Sequence, residues 1–424
     1  MTTKYEYVMS GMNYAMSKRG VFTDAYNEKC REMFRQLNGA IPNHSQAILF
    51  NGLQERSLGK HLYNIYGTES KYYVDSGGLQ MVTLGMEATD ETREDIYKTQ
   101  GEFGDFAMSF DEIPVKLLSD RSTFHDTKSR VVDMENFDEF AVASGKNLRA
   151  QIESFKRQKT KTKPFMIVQG TSPETYQRWT DLVLGEVDPS DHCRIGGLSV
   201  GAASLGQGQM EDFTRAFLAA TLEMPEHIKA HIHLLGVGSL KRLAPIVALK
   251  HAGHFENTLI SYDSTTHTSS LSLGSFQKDH RLMGFKVKSG NVRGFDAVVD
   301  EICAYAKKVF KMDPDPEFIR FVYLHSRAGY YERWGHDREE EYQDAKFLSL
   351  YANILNFCKS LRIMDWGPEG LMEVFPEKTG PYLTFCKVQD RKDFDQWQRL
   401  NSAMLVSKAI ATSDSVTTLD ELFE

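Results

Sequence analysis

Short apolar runs alternate with longer stretches of helical periodicity along roughly the first 260 residues of the chain. The runs predict eight strands: Glu6–Ser10, Ala47–Asn51, Tyr72–Asp75, Phe106–Asp111, Phe165–Gln169, Arg194–Leu198, His231–Val237 and Leu259–Asp263. Between them, apolar positions recur at helical spacing over Met134–Lys156, Pro173–Leu184, Gln209–Glu223 and Leu240–His251. Strands alternating with helices predict a parallel α/β fold. Eight such strands predict a (β/α)8 TIM barrel, with an open doubly wound sheet as the competing topology. After Asp263 the pattern changes. Residues 264–294 are polar and read as a long loop or insertion. Residues 295–362 are strongly helical, broken at Asp313-Pro314-Asp315-Pro316, and Arg391–Ser407 predicts one more helix. The expected organisation is a barrel core over 1–294 and a helical C-terminal region over 295–424 that completes and flanks it. There is no internal repeat.

Composition narrows the function classes. In 424 residues, 41% are hydrophobic and 25% charged, which supports a sizeable core. A net charge of −8 argues against a dedicated basic coat for nucleic acid, although a local basic patch is compatible with it. No apolar run reaches membrane-span length, and the N-terminus lacks the apolar core of a secretory signal, so no membrane partner is expected. Cys30, Cys193, Cys303, Cys358 and Cys386 are scattered and form no CxxC pair, which predicts a reducing, cytoplasmic setting.

The chemistry gathers at strand ends. Asp75-Ser76-Gly77-Gly78 follows the third strand, and Asp111 and Glu112 follow the fourth. Gln169 and Gly170 end the fifth, "IGGLSVG" with Gly196 and Gly197 ends the sixth, "LLGVGS" the seventh, and "SYDSTTHT" with Asp263 the eighth. In a barrel these C-terminal ends meet at one mouth, where active sites lie. Taken one at a time, each has a plainer reading as a helix cap, an Asx turn or a tight turn. "GVGS" lacks both the Walker lysine and dinucleotide spacing. His125, His233, His267 and His325 read as surface or core residues, and no HxxxH spacing supports a zinc protease.

The ordered set "DSGGLQ", "FDEIP", "IVQG", "GGLSVG", "LLGVGS" and "YDS" resembles the motifs of the tRNA-guanine transglycosylases, from about the first strand to Asp263. The resemblance implies a TIM-barrel enzyme that exchanges guanine in nucleic acid for a 7-deazaguanine. It implies Asp263 as the nucleophile that holds the sugar covalently and Asp75 as the general acid/base. It also implies a base pocket. Asp111 would accept from the two guanine donors, and Gln169 with the Gly196-Gly197 backbone would reach O6. Ser76 would add a polar contact, and Leu79 and Leu235 would sandwich the ring. Gln80 and Asn51 would touch the ribose.

Three departures refine that expectation. The family CxCxxC…His zinc site is missing, since Cys303 stands alone in "EICAYAKK", so no metal or other cofactor is expected. Ala202 replaces a Glu that bacterial members carry for an aminomethyl base, which favours 7-cyano-7-deazaguanine. "YDSTTHTSS" lacks the tRNA-gripping run that follows the nucleophile in bacterial enzymes. These changes resemble the DNA-guanine transglycosylases of bacteriophages and bacterial genomic islands, which implies DNA as partner and, for a phage protein, the host cytoplasm. The expected backbone contacts are Arg121, Lys128, Arg130, Arg281, Lys286 and Lys288, with Lys116 and His125 in the same loop as the first three. The basic run at 156–163 precedes strand five and belongs at the opposite rim. The same exchange on tRNA, a non-catalytic binding barrel and an unrelated barrel enzyme for a phosphorylated metabolite remain alternatives. The oligomeric state stays open, a homodimer included.

Overall fold

The computed structural model describes residues 5–10, 47–53, 70–79, 85–118, 130–170, 173–201, 224–237 and 257–264, two short strands at 275–277 and 284–286, and isolated positions elsewhere. The chain divides into two compact units, Met1–Ser239 with Asn257–Ser360, and Leu240–Glu256 with Leu361–Glu424. The expected helical region 295–424 lies outside the described residues apart from two isolated positions.

Eight parallel strands close into a barrel within the first unit. They are β1 (Tyr5–Met9), β2 (Ala47–Asn51), β3 (Lys71–Asp75), β4 (Phe106–Met108), β7 (Lys163–Val168), β8 (Gly197–Val200), β9 (His231–Leu234) and β10 (Leu259–Ser264). Their order around the barrel is β1-β10-β9-β8-β7-β4-β3-β2. The TIM-barrel expectation therefore holds and the open sheet is excluded. Two antiparallel ribbons stand apart from the barrel. One pairs β5 (Val115–Leu117) with β6 (Arg130–Val132), and the other pairs β11 (Ser275–Gln277) with β12 (Gly284–Lys286). The first turns the expected loop after strand four into a built excursion. The second gives the expected loop at 264–294 a short paired element.

Between β3 and β4 lies α1 (Asp90–Phe103), a helix missing from the sequence reading. Its start is set by Thr89, whose hydroxyl accepts from Thr92 N–H at 3.2 Å. α2 (Phe137–Gln158) and α3 (Pro173–Gly185) cover the next strands, and α4 (Glu226–Lys229) is a single turn before β9. α2 ends at Lys159 in the left-handed region, where it closes the last turn. α3 docks through Trp179, which is fully buried, packs edge-on to Phe137 and donates its indole N–H to Ile167 O at 3.1 Å. No helix among the described residues is long and apolar enough to cross a membrane.

Because side chains alternate along a strand, each barrel strand sends every second residue inward. The buried outward residues, such as Ile48, Phe50, Tyr72 and Val74, form the apolar layer under the helices. The inward set is mixed. Val8, Ala47, Tyr73, Met108 and Ile167 form an apolar cluster. Glu6, His231, His233, Ser199 and Ser261 share that interior and are all buried. One step further along the same faces lie Asp75, two residues beyond Tyr73, and Asp263, two beyond Ser261. Strand period alone thus carries the polar interior up to the mouth.

Candidate active site

Asp75 ends β3 beside Asn51 of β2, its register partner. The turn behind it is tightly made. Gly52 N–H donates to Asp75 O at 2.9 Å, and Leu53 N–H donates to Asn51 Oδ1 at 2.8 Å. Asn51 is thus engaged in an Asx turn. Gly77 takes φ +78°, and a Cβ there would lie 2.8 Å from Asn51 Oδ1. Only glycine meets both conditions at low cost. A Cβ on Gly78 would approach Asp111 O to 3.1 Å, so the Gly-Gly pair also lets this turn lie against the β4 end.

Three carboxylates converge here. Asp75 is pushed up to about 6, first by burial and then by the charge of Asp263, against the backbone N–H groups of Gly77 and Ser76 that favour its ionised form. Asp111 is pushed up to about 7 by burial, with a hydrogen bond from Gln169 opposing the shift and the charge of Asp75 adding to it. Gln169 Nε2 donates to Asp111 Oδ2 at 2.7 Å, and both residues are buried. Glu112, the next residue, faces away and accepts from Arg93 at 3.2 Å. The two acids of "FDE" therefore face different ways, Asp111 toward Gln169 and Glu112 toward Arg93 of α1.

Asp263 is held through one oxygen. Gly236 N–H donates to its Oδ1 at 2.9 Å, and His233 Nε2 lies 3.3 Å from the same oxygen without hydrogen-bond alignment. Both contacts fall on Oδ1, and no described residue occupies Oδ2. Oδ1 is thus the anchored oxygen.

Of the remaining expected residues, Ser76 is buried at the mouth and its Oγ accepts from Gly78 N–H at 3.3 Å. Leu79 is exposed, and Leu235 is partly buried over the interior cluster. Gln80, Ala202, Arg121, Lys128, Arg281 and Lys288 lie outside the described residues, and only the backbones of Arg130 and Lys286 are described. Lys116 is paired with Asp133 at 3.3 Å and Glu135 at 2.8 Å. The basic run lies at the opposite rim, as expected, since Lys163 opens β7.

Gly196 and Gly197 require correction. β8 runs from Gly197 to Val200, so this pair sits at the start of the strand, away from the mouth. Gly196 N–H is spent on Pro164 O at 2.8 Å, and a Cβ on Gly197 would lie 2.6 Å from the Phe165 ring. Their role is close packing at the far rim. The glycine at the mouth is Gly201, which follows β8, and a Cβ there would lie 2.4 Å from Gln169 Nε2. The signal was present in "GGLSVG", where the strand is Gly197–Val200 and the trailing glycine, not the leading pair, follows its end. We expect Gly201→Ala to displace the Gln169 amide from Asp111 and to weaken about tenfold the binding of any ligand that uses this carboxyl–amide pair, the value of one buried hydrogen bond of this kind, as titration calorimetry would read. Ser10 was also missed. It follows β1 on the inward face, and its Oγ is buried without a hydrogen-bond partner, a donor that a ligand in the mouth could use.

Among the described residues, no group of three or more His, Cys, Asp or Glu side chains could hold a metal ion, and Cys303 lies outside them. Compared with known proteins, the chain matches no family model and no curated protein. The barrel itself is a fold commonly found in enzymes.

Proposed function

We propose that the chain is a base-exchange transglycosylase that replaces guanine in DNA with a 7-deazaguanine, 7-cyano-7-deazaguanine being the base that Ala202 favours. The observation that carries this reading is the mouth itself. Two acids whose charges interact, Asp75 and Asp263, stand beside a buried carboxyl–amide pair, Asp111 and Gln169.

Each part has a task. The free oxygen of Asp263 attacks C1′ as the C1′–N9 bond breaks, and the electron pair of that bond leaves with the purine. Asp75 gives the departing base a proton. The incoming base returns an equivalent proton to Asp75, and its N9 attacks C1′ and releases the Asp263 carboxylate. The double displacement retains configuration, as in a two-carboxylate glycosidase. An acid/base that titrates at about 6 is poised for both transfers near neutral pH. Asp111 as a carboxylate accepts from N1–H and the 2-amino group of guanine, while Gln169 reaches O6. Adenine would leave these buried groups unpaired and is rejected. In duplex DNA the target must be flipped out, at a cost of a few kcal/mol. DNA is preferred to tRNA on the sequence after Asp263, where the tRNA-gripping run is absent.

Base binding should depend on pH with a defined sign. Asp111 titrates at about 7, and below that its protonated form loses an acceptor. Guanine affinity is expected to fall about tenfold for each pH unit below that value and to level off above it. Asp111→Asn should bind guanine weakly at every pH, with no such slope, as competition binding would show.

The reading is tested by supplying labelled guanine or 7-cyano-7-deazaguanine with duplex DNA, single-stranded DNA or tRNA. Label entering DNA is the expected result. Label in tRNA alone replaces the substrate, and label in none of them supports a binding role.

A further inference from the structure

The barrel interior contains a chain of polar side chains that the exchange chemistry does not use. Lys71 Nζ donates to Glu6 Oε1 at 2.6 Å, and Tyr73 Oη donates to Glu6 Oε2 at 2.5 Å. His231 Nε2 lies 3.1 Å from Tyr73 Oη and 2.8 Å from Ser261 Oγ. His233 Nδ1 lies 2.9 Å from the same Ser261 Oγ, and its Nε2 is the atom beside Asp263. Tyr73 and His233 are completely buried, as is Ser261. The chain runs from the first residues of β3 and β9, at the closed end, to the carboxylate at the mouth.

We infer that this chain fixes His233 as its Nε2–H tautomer and thereby makes His233 the positioning residue for the Asp263 carboxylate. The inference rests on the proposed role of Asp263. Its direction comes from counting protons along the chain. The Glu6 carboxylate, paired with Lys71, has only acceptors, so the Tyr73 hydroxyl proton goes to it. The Tyr73 oxygen is then an acceptor toward His231. A bare Nε2 on His231 would set two lone pairs against each other at 3.1 Å, so this nitrogen carries the proton and donates toward Tyr73 and Ser261. Burial holds His231 below its ordinary value, in keeping with a neutral ring bearing one N–H. Ser261 Oγ, now accepting, has Tyr73 Oη and His233 Nδ1 as its other neighbours. Tyr73 Oη already accepts from His231, and a bare His233 Nε2 would face the Asp263 carboxylate, so the Ser261 proton goes to His233 Nδ1. His233 therefore carries a proton on Nε2, pointed at Asp263 Oδ1. The reversed chain would aim a lone pair at a carboxylate.

The apparent misalignment at 3.3 Å fits a bond that tightens when the site is filled. A donor here opposes rotation of the carboxylate and keeps Oδ2 toward C1′. It acts with Gly236 N–H, as the orienting acid of a triad acts on its histidine with donor and acceptor exchanged.

The test uses the full chain with histidine-selective 15N labelling, and His233→Gln identifies the His233 signals. The wild type should show Nδ1 unprotonated and Nε2 protonated. Tyr73→Phe removes the proton that Glu6 orients, so His233 should become a mixture of tautomers. Exchange kcat should fall on the order of 10- to 100-fold with little change in KM, because Asp111 and Gln169 lie outside the chain. Should Tyr73→Phe misfold, Ser261→Ala cuts the chain between the two histidines and carries the same expectations. A wild-type His233 protonated on Nδ1, or a tautomer unmoved by either variant, overturns the inference. If the tautomer shifts as expected while the wild type exchanges no base, the chain stands and the proposed function fails.

Discussion

Asp263→Ala is expected to abolish base exchange, with a loss of at least about 10⁴-fold, the scale on which removal of a covalent nucleophile falls. The reason is geometric. One oxygen of Asp263 is held by Gly236 N–H at 2.9 Å, and the other meets no described residue, as the proposed attack on C1′ requires. Neither His233 nor any backbone group at that point can form the glycosyl ester in its place. Guanine binding should survive within about threefold, because the proposed base contacts, Asp111 and Gln169, follow β4 and β7 and pair with each other rather than with Asp263. A single-turnover assay paired with guanine titration separates the two effects. Equal loss of both would mean that the substitution collapsed the mouth.

Asp75→Asn has two consequences of different kinds. Its kcat should fall about 10²- to 10⁴-fold, the usual contribution of a general acid/base, and the limb of the pH profile near 6 should vanish. Its stability should change in the opposite direction. The folded-state value of about 6 lies above the ordinary 3.8, so the folded protein holds this proton more tightly than the unfolded chain. That contribution is fully present below about pH 4 and is lost as pH rises through about 6. Wild type therefore carries a penalty at neutral pH that Asp75→Asn lacks. Asparagine can still accept from Gly77 and Ser76 N–H. The variant should be the more stable protein above about pH 6, by up to about 3 kcal/mol, with the gap closing toward about pH 4. Thermal unfolding at several pH values reads this directly.

The barrel was legible because short apolar runs such as Ala47–Asn51 need no tertiary information to be seen, and that strand has the bounds read from sequence. α1 was not legible. Its buried face, Ile96, Tyr97, Thr99, Gln100 and Phe103, is partly polar, and Gln100 is buried because its amide caps the strand carbonyls of Val74 at 3.3 Å and Met108 at 2.8 Å. Apolar periodicity cannot register a glutamine that is buried for its hydrogen bonds. β5 and β6 are only three residues each, below what alternation can resolve.

At the site, Asp75, Asp111, Gln169 and Asp263 could be read because each closes or follows an apolar run. Gly201 was lost because glycines bracket β8 at both ends, and the pair at its start drew the strand boundary too early. The interior chain was hidden for another reason. Glu6, Tyr73, His231, His233 and Ser261 come from four different strands, and only the two histidines are two apart in one strand, a pattern that ordinarily marks a solvated face. In a closed barrel that face turns inward, so only closure reveals that these residues meet.

The most direct test is to denature the chain rapidly during turnover on guanine-containing DNA and map the nucleic-acid adduct by peptide mass. A sugar esterified to the peptide bearing Asp263, absent in Asp263→Ala and accumulating when the incoming base is withheld, is the predicted result. An adduct on Asp75, or exchange that proceeds with no adduct on either residue, would contradict it.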